Sequence, residues 1–324
     1  MSYDRNRRSF VFAAVVAAGL ASVGSARADD PVKLVIGTSD VYGVANTFSV
    51  AGDDKIPGVE VSYARFTGGV PAMLAALKAG QIDVAEVGAA GPIIAQSADT
   101  PFKIIAVTEP WPHGEAIIVA KDSPIHSIED LRGKKVAYSR ATNAQWLVVN
   151  ALQSKGLKLS DVESTFLPPG TNLLNALNAG VIDATAYIDV PLANYEAQGA
   201  RRIVDHGDLG YPIPLEFLAS DDAIAHKKEA VAAYVRALAH HLAWAHDNPE
   251  KRAAALAAIL HLDPAVVLVA EKRRPTKLRA IDDGVIKANQ QIADSFFQEK
   301  AIPKALDVRS TFTTEFNKDA VGVN

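Results

Sequence analysis

Residues Phe66 to Pro92 read FTGGVPAMLAALKAGQIDVAEVGAAGP, and residues 166–191 read FLPPGTNLLNALNAGVIDATAYIDVP. In the first stretch a strand end meets Gly68-Gly69, and a short apolar helix follows with Leu74, Leu77 and Lys78 at helical spacing. Gly80 falls where a left-handed helix C-cap needs a residue without Cβ. Ile82-Asp83-Val84 then opens a strand that ends in another glycine turn. In the second stretch Phe166, Leu174 and Leu177 match Phe66, Leu74 and Leu77, and Ala179-Gly180-x-Ile182-Asp183 matches Ala79-Gly80-x-Ile82-Asp83. Two copies so far apart do not fit a solenoid, whose periods are roughly 20–50 residues. They predict two similar α/β lobes facing each other as a clamp.

Outward from these copies, strands are expected at Val32–Gly37, Val59–Tyr63, Phe102–Thr108, Ala116–Ala120 and Lys135–Tyr138. Alternation with helices predicts an open, largely parallel sheet in each lobe, with right-handed crossovers. The proline-punctuated YPIPLEFLAS, Tyr211–Ser220, reads as the return crossing between lobes. Helices are predicted over His226–His246, Glu250–Leu260 and Asp282–Glu299. The last should pack Ile286, Gln290, Ala293 and Phe297 on one side.

The chain has 324 residues, enough for two packed lobes, and an ordinary 22% of charged residues. Of 33 basic and 37 acidic residues, four arginines and one aspartate lie in the first 28, leaving 29 and 36. No basic stripe is left to neutralise phosphates, so nucleic acid is not an expected partner. With no cysteine, disulfides, thiolate metal sites, cysteine nucleophiles and a lipid anchor on cysteine are excluded.

Arg7-Arg8-Ser9-Phe10-Val11 is a twin-arginine pattern, and Val11–Gly24 is a mildly apolar run. Ala26-Arg27-Ala28 offers small residues for cleavage before Asp29. The run is shorter than the roughly 20 strongly apolar residues that span a bilayer. Residues 1–28 therefore read as a cleaved twin-arginine signal peptide, and the periplasm as the destination.

Helix starts rich in N–H and O–H donors suit an anion with several oxygens. Candidate ligand contacts of this kind are Thr38, Ser39 and Tyr42 after the first strand, Gly68 and Gly69, Ala89 and Gly91, and Thr142 and Asn143. Each also has a purely structural reading, as a turn glycine or a cap. Tyr187, Asp189 and Glu216 lie at strand ends where a side chain would face a cleft. Asp189 would bind an amine, pair with an arginine or cap a hinge. Trp111 would stack on a ligand or pack the hinge, and Arg273-Arg274 reads as a solvated basic turn.

An enzyme would need machinery that is not in the sequence: there is no GxSxG, HExxH, Walker A or GxGxxG motif. His240, His241 and His246 read as solvated helix positions, and Asp83 and Asp183 as scaffold. No cofactor or metal is expected.

ALKAGQID, KDSPIHSIEDLRGKKVAYS, GVIDATAYIDVP and QQIADSFFQEKAIP resemble the aliphatic sulfonate/taurine/nitrate-binding (NMT1/THI5-like) group of periplasmic substrate-binding proteins, over about residues 32 to 310. The resemblance implies an α/β, two-lobed periplasmic binding protein fold of type II, with a hinge and an interlobe ligand cleft. Lobe 1 would take residues 31–120, lobe 2 residues 121–220, and residues 221–324 would return to lobe 1 with the C-terminal helices. It also implies the solute-binding component of an ABC importer, a monomer with a permease and an ATPase as partners. Its ligand would be a small organic anion, first an aliphatic sulfonate or taurine. Nitrate, a thiamine-type pyrimidine precursor or an aromatic acid are the alternatives, as is a ligand-sensing subunit. Sulfonate binders usually carry W-x-x-W-D-P after the second copied Asp, and here the segment is Ala186-Tyr187-Ile188-Asp189-Val190-Pro191, so the site wall departs from the pattern.

Overall fold

The structure, a computed structural model, describes residues 30–322 except 40–42, 67, 68, 141, 169 and 212. The leader and its cleavage position lie outside the described residues, as do Tyr42 and Gly68. In chain order the strands are β1 (Val32–Ser39), β2 (Val59–Phe66), β3 (Val84–Gly88), β4 (Phe102–Thr108), β5 (Glu115–Val119), β6 (Lys135–Ala137), β7 (Glu163–Thr165), β8 (Ala184–Ile188), β9 (Arg201–Asp205), β10 (Leu215–Ser220) and β11 (Leu278–Arg279).

They form two sheets, β11-β4-β10-β3-β1-β2 and β7-β6-β8-β5-β9. Each sheet has a parallel trio, β2-β1-β3 or β7-β6-β8, as the βαβ alternation predicts. Each then takes one antiparallel strand against the trio: β10 on β3, and β5 on β8. These two strands are the first after each crossing, and each belongs to the sheet the chain is entering. The division expected at 120/121 and 220/221 is therefore corrected by one strand at each crossing: β5 lies in the second sheet and β10 in the first.

The copied aspartates explain the shared architecture. Asp83 N–H donates to the Val35 carbonyl at 2.8 Å, while its Oδ2 accepts from Val35 N–H at 2.8 Å. Asp183 makes the same pair of bonds with Lys135, at 2.8 and 2.8 Å. Each carboxylate thus pins the third strand of a trio to the first. The scaffold reading of both residues agrees with this geometry.

The sheets bury separate cores, one around Leu34, Phe48, Phe217 and Tyr234, the other around Ile117, Leu131, Leu147 and Val204. The helix Lys228–Asp247 packs Val231, Tyr234, Val235, Leu238 and Leu242 on the first sheet, the face its periodicity predicts. In the helix Asp283–Gln298 the predicted face holds in part: Ala293 is buried and Ile286 packs on the same cluster, but the buried stripe also takes Val285, Asn289, Ile292 and Phe296, and Phe297 is 45% exposed. The helices Pro249–Leu260 and Pro264–Glu271 pack Leu256, Ala257, Val267 and Ala270 on Val190 and Ala193 of the helix Asp189–Ala197. The C-terminal region therefore contacts both lobes. Among the described residues no helix is long and apolar enough to cross a membrane.

Candidate functional site

A cleft of about 310 Å³ lies between the sheets. Its walls are the carboxyl ends of β1, β3 and β8 and the starts of β5 and β10, the edge where open α/β sheets bind ligands. The two halves answer each other 100 residues apart: Ser39 faces Ser139's wall, residues 86–88 answer 186–188, and Glu115 answers Leu215. The walls are largely apolar, with Val70, Met73, Val87, Trp111, Ile188 and Leu215. Glu86, Glu115 and Asp189 add three acids, and Arg140 is the one cation lining the cleft among the described residues.

Of the residues singled out in the sequence, Ser39, Gly69, Gly91, Thr142, Asn143, Tyr187 and Asp189 line this cleft. Thr38, Ala89 and Glu216 do not. Side chains alternate along a strand, so Ser39 faces the cleft and Thr38 turns inward, fully buried, its hydroxyl 3.3 Å from Glu86 Oε2. In β10 Leu215 faces the cleft, and Glu216 therefore points into the core, where Oε1 accepts from Asn289 Nδ2 at 2.7 Å. Burial pushes the Glu216 carboxyl up to about 8, so it is protonated at neutral pH. Ala89 is buried with Ile93 and Trp146, and its neighbours Ala90 and Gly91 reach the cleft.

Asn143 does cap a helix, but not its own. Its Oδ1 accepts from Ala90 N–H at 2.9 Å, at the start of the helix Ala90–Ser97 on the opposite side of the cleft. Gly88 makes room: a Cβ there would meet Asn143 Nδ2 at 2.1 Å. Trp146, one turn on, packs with Ala89, Ala90, Ile93 and Phe296, so a polar and an apolar contact join the lobes at this end. Thr142 turns its hydroxyl to the Ser139 carbonyl at 2.7 Å and gives no side-chain cap to the helix Asn143–Ser154. The first N–H groups of that helix consequently keep their donor capacity at the cleft.

At the hinge the two crossings lie side by side. Trp111 N–H donates to the Ile213 carbonyl at 2.8 Å and Gly207 N–H to the Pro112 carbonyl at 2.9 Å. Trp111 also lines the cleft, so packing the hinge and walling the site are one job. Glu115 lies beside His206, Oε2 to Nε2 3.2 Å, both buried.

Asp189 is the strained residue here, with φ +60°, 3% exposure and its N–H on the Gly114 carbonyl at 2.7 Å. Its Oδ2 pairs with Arg274, which is buried and also pairs with Glu271 at 3.1 Å. The solvated turn expected for Arg273-Arg274 is thereby corrected: Arg273 binds Glu196 at 2.7 Å, and Arg274 is the partner of Asp189. Burial pushes the Asp189 carboxyl up to about 6 against the pull of Arg274. Burial also raises Glu86, which accepts from Val44 N–H and lies near Arg274 and Arg252.

The expectation for His241 is corrected too. It is fully buried between Asp53 Oδ2 and Thr47 Oγ1, 2.9 Å from each, because it shares the buried face of Leu238 and Leu242. Burial lowers it to about 4, so it is neutral. Thr47 Oγ1 accepts from Arg252 Nε at 3.0 Å, and Arg252 pairs with Glu271. Neither the cleft nor the cavity beside Phe166 is lined by Asp53, His241 or Thr47, and this arrangement reads as structural. Among the described residues no group of three or more His, Asp or Glu is placed to hold a metal ion.

Comparison with known proteins agrees with this geometry. The chain is 30% identical over 258 residues to an Escherichia coli K12 protein that carries a provisional aliphatic sulfonates-binding name, covering 79% of this chain and 80% of that protein. The alkanesulfonate-binding protein SsuA from Xanthomonas axonopodis pv. citri, bound to MOPS, superposes with a TM-score of 0.80 at 26% identity, covering 88% of this chain and 99% of SsuA. The periplasmic aliphatic sulphonate binding protein SsuA from Escherichia coli gives a TM-score of 0.79 at 28% identity, covering 90% and 99%. The NMT1/THI5-like family model matches residues 57–252, more than half of the sequence. By its two-lobed fold, its cleft and this match, the chain belongs to the NMT1/THI5-like family.

Proposed function

We propose that this chain is the solute-binding component of an ABC importer and captures an organic sulfonate between its two lobes. The observation that carries the reading is the cleft of about 310 Å³ between the sheets, with an uncapped helix start and one cation beside an apolar wall. A sulfonate would place its oxygens near Ser139, Thr142 and the first N–H groups of the helix Asn143–Ser154. Its carbon chain would lie on Val70, Met73, Val87 and Trp111. The aliphatic sulfonates-binding name of the Escherichia coli relative and the alkanesulfonate-binding SsuA structures support the ligand class. In this reading residues 1–28 are removed on export, the protein works in the periplasm as a monomer, and its partners are a permease and an ATPase. In this reading the protein holds its ligand without transforming it, which the binding-protein names of its relatives support.

A thermal-shift screen against alkanesulfonates, taurine, nitrate, aromatic carboxylates and pyrimidines tests it. Ligand at about one hundred times its dissociation constant adds about 2.7 kcal/mol, a rise of a few degrees for a chain this size. Sulfonates are expected to give the shift. A shift with another class and none with sulfonates would overturn the ligand and leave the fold standing.

A further inference from the structure

We infer that Arg140 is the residue that recognises the anionic head of the ligand, and that the ring of Phe166 competes with the ligand for it. The inference deepens the sulfonate reading and rests on it for the probe used below. Arg140 lines two cavities, the cleft and a second one of about 320 Å³ that reaches Phe166 on one side and Glu299–Ala301 on the other. Its guanidinium carbon sits 3.9 Å from the Phe166 ring centroid, within cation–π range. No described carboxylate pairs with it. A cation that pairs with no carboxylate among the described residues, in a cleft whose other charged walls there are acids, is the group an incoming anion meets.

Phe166 is the second observation, and it comes from the sheet register. By sequence it matches Phe66, whose ring packs beneath the helix Gly69–Lys78. Yet Gly37 pairs with Ala64 in the first sheet, whereas Ala137 pairs with Thr165 in the second. The second copy is thus displaced by one residue, which turns a side chain to the other face. Leu167 takes the packing place, and Phe166 is left 42% exposed with Tyr138 edge-on at 5.4 Å. An aromatic ring freed from the core and fixed by a neighbour forms the platform that Arg140 occupies. Ligand binding would exchange that cation–π contact for a charge-assisted hydrogen bond, and Arg140 would swing from one cavity to the other.

Calorimetric titration of the full-length chain with pentanesulfonate tests both parts. Arg140→Gln is expected to weaken binding about 10- to 100-fold, the effect of a lost hydrogen bond to a charged group. Its melting temperature should hold, since Arg140 is exposed. Phe166→Leu removes the ring face and is expected to tighten binding about two- to fivefold, because an exposed cation–π contact no longer competes. Wild-type affinity in Arg140→Gln would overturn the recognition role, and unchanged or weaker binding in Phe166→Leu would overturn the competing role. If the wild type ignores sulfonates but binds nitrate or an aromatic carboxylate, and Arg140→Gln loses that binding, the sulfonate reading fails and the inference stands.

Discussion

Asp83 and Asp183, 100 residues apart, make the same two hydrogen bonds to the first strand of their own sheet, one through the backbone N–H and one through Oδ2. They differ in what else they hold. Asp83 also binds Lys227 Nζ at 2.9 Å through both oxygens, and its carbonyl accepts from Ser220 N–H at 2.9 Å. It therefore ties in the returning strand β10 as well. Asp183→Ala is expected to cost about 1 kcal/mol, the net worth of one hydrogen bond. Asp83→Ala should cost about 2–3 kcal/mol, because it also strands a partly buried lysine. Urea unfolding of both variants checks the order, and equal losses would mean that the Lys227 contact contributes nothing.

Gly114 controls Trp111. A Cβ on Gly114 would stand 1.9 Å from Trp111 Cε2, inside the indole. Gly114→Ala must push the ring away from the paired crossings or into the cleft. A loss of about 1–3 kcal/mol is expected from the overpacking alone, together with altered ligand affinity because Trp111 forms part of the cleft wall. Tryptophan emission should shift as the ring moves. An Ala variant with the emission, stability and affinity of the wild type would show that the ring is free to move aside.

The buried pair of Asp189 and Arg274 is asymmetric in its consequences. Arg274→Met leaves Asp189 and Glu271 without their shared cation and is expected to cost about 3–5 kcal/mol. Adding Asp189→Asn should restore part of that loss, which a double-mutant cycle reads as coupling. Additive losses would mean that the pair holds nothing together.

The repeat made the two lobes legible, because glycine caps and apolar spacing are local signals that survive without tertiary context. Tyr187 and Asn143 were found in the cleft for the same reason, since strand ends and helix starts can be read from the chain. Faces were harder. Glu216 and Thr38 sit one residue from Leu215 and Ser39, and a period of two sends adjacent side chains to opposite sides. Phe166 shows the same limit, since its match to Phe66 hides a one-residue change of register. Arg274 and His241 were missed for another reason. A basic dipeptide before proline and a histidine pair on a helix look solvated until Asp189 and Asp53, which lie far away in the chain, fold against them. Glu86 and Arg140 carried no local signal beyond their place in or beside strands.

Glu216 makes stability depend on pH in a definite direction. Its carboxyl is fully buried, accepts one hydrogen bond from Asn289 and leaves Oε2 without a partner among the described residues. Burial raises it from 4.5 to about 8. In the unfolded chain the group ionises near its ordinary value, so between about pH 4.5 and 8 the folded state holds a proton that the unfolded state has released. The unfolded state then binds fewer protons, and stability falls as pH rises through this window. The contribution is fully present below about pH 4.5 and is lost as pH passes about 8. Glu216→Gln keeps an acceptor for Asn289 and removes the titration. It is expected to raise stability by about 1–3 kcal/mol at pH 8 and to change it little at pH 4.5. Denaturant unfolding at the two pH values measures the difference. A variant whose stability runs parallel to the wild type across that range would show that Glu216 is ionised in the folded protein and held by more than Asn289.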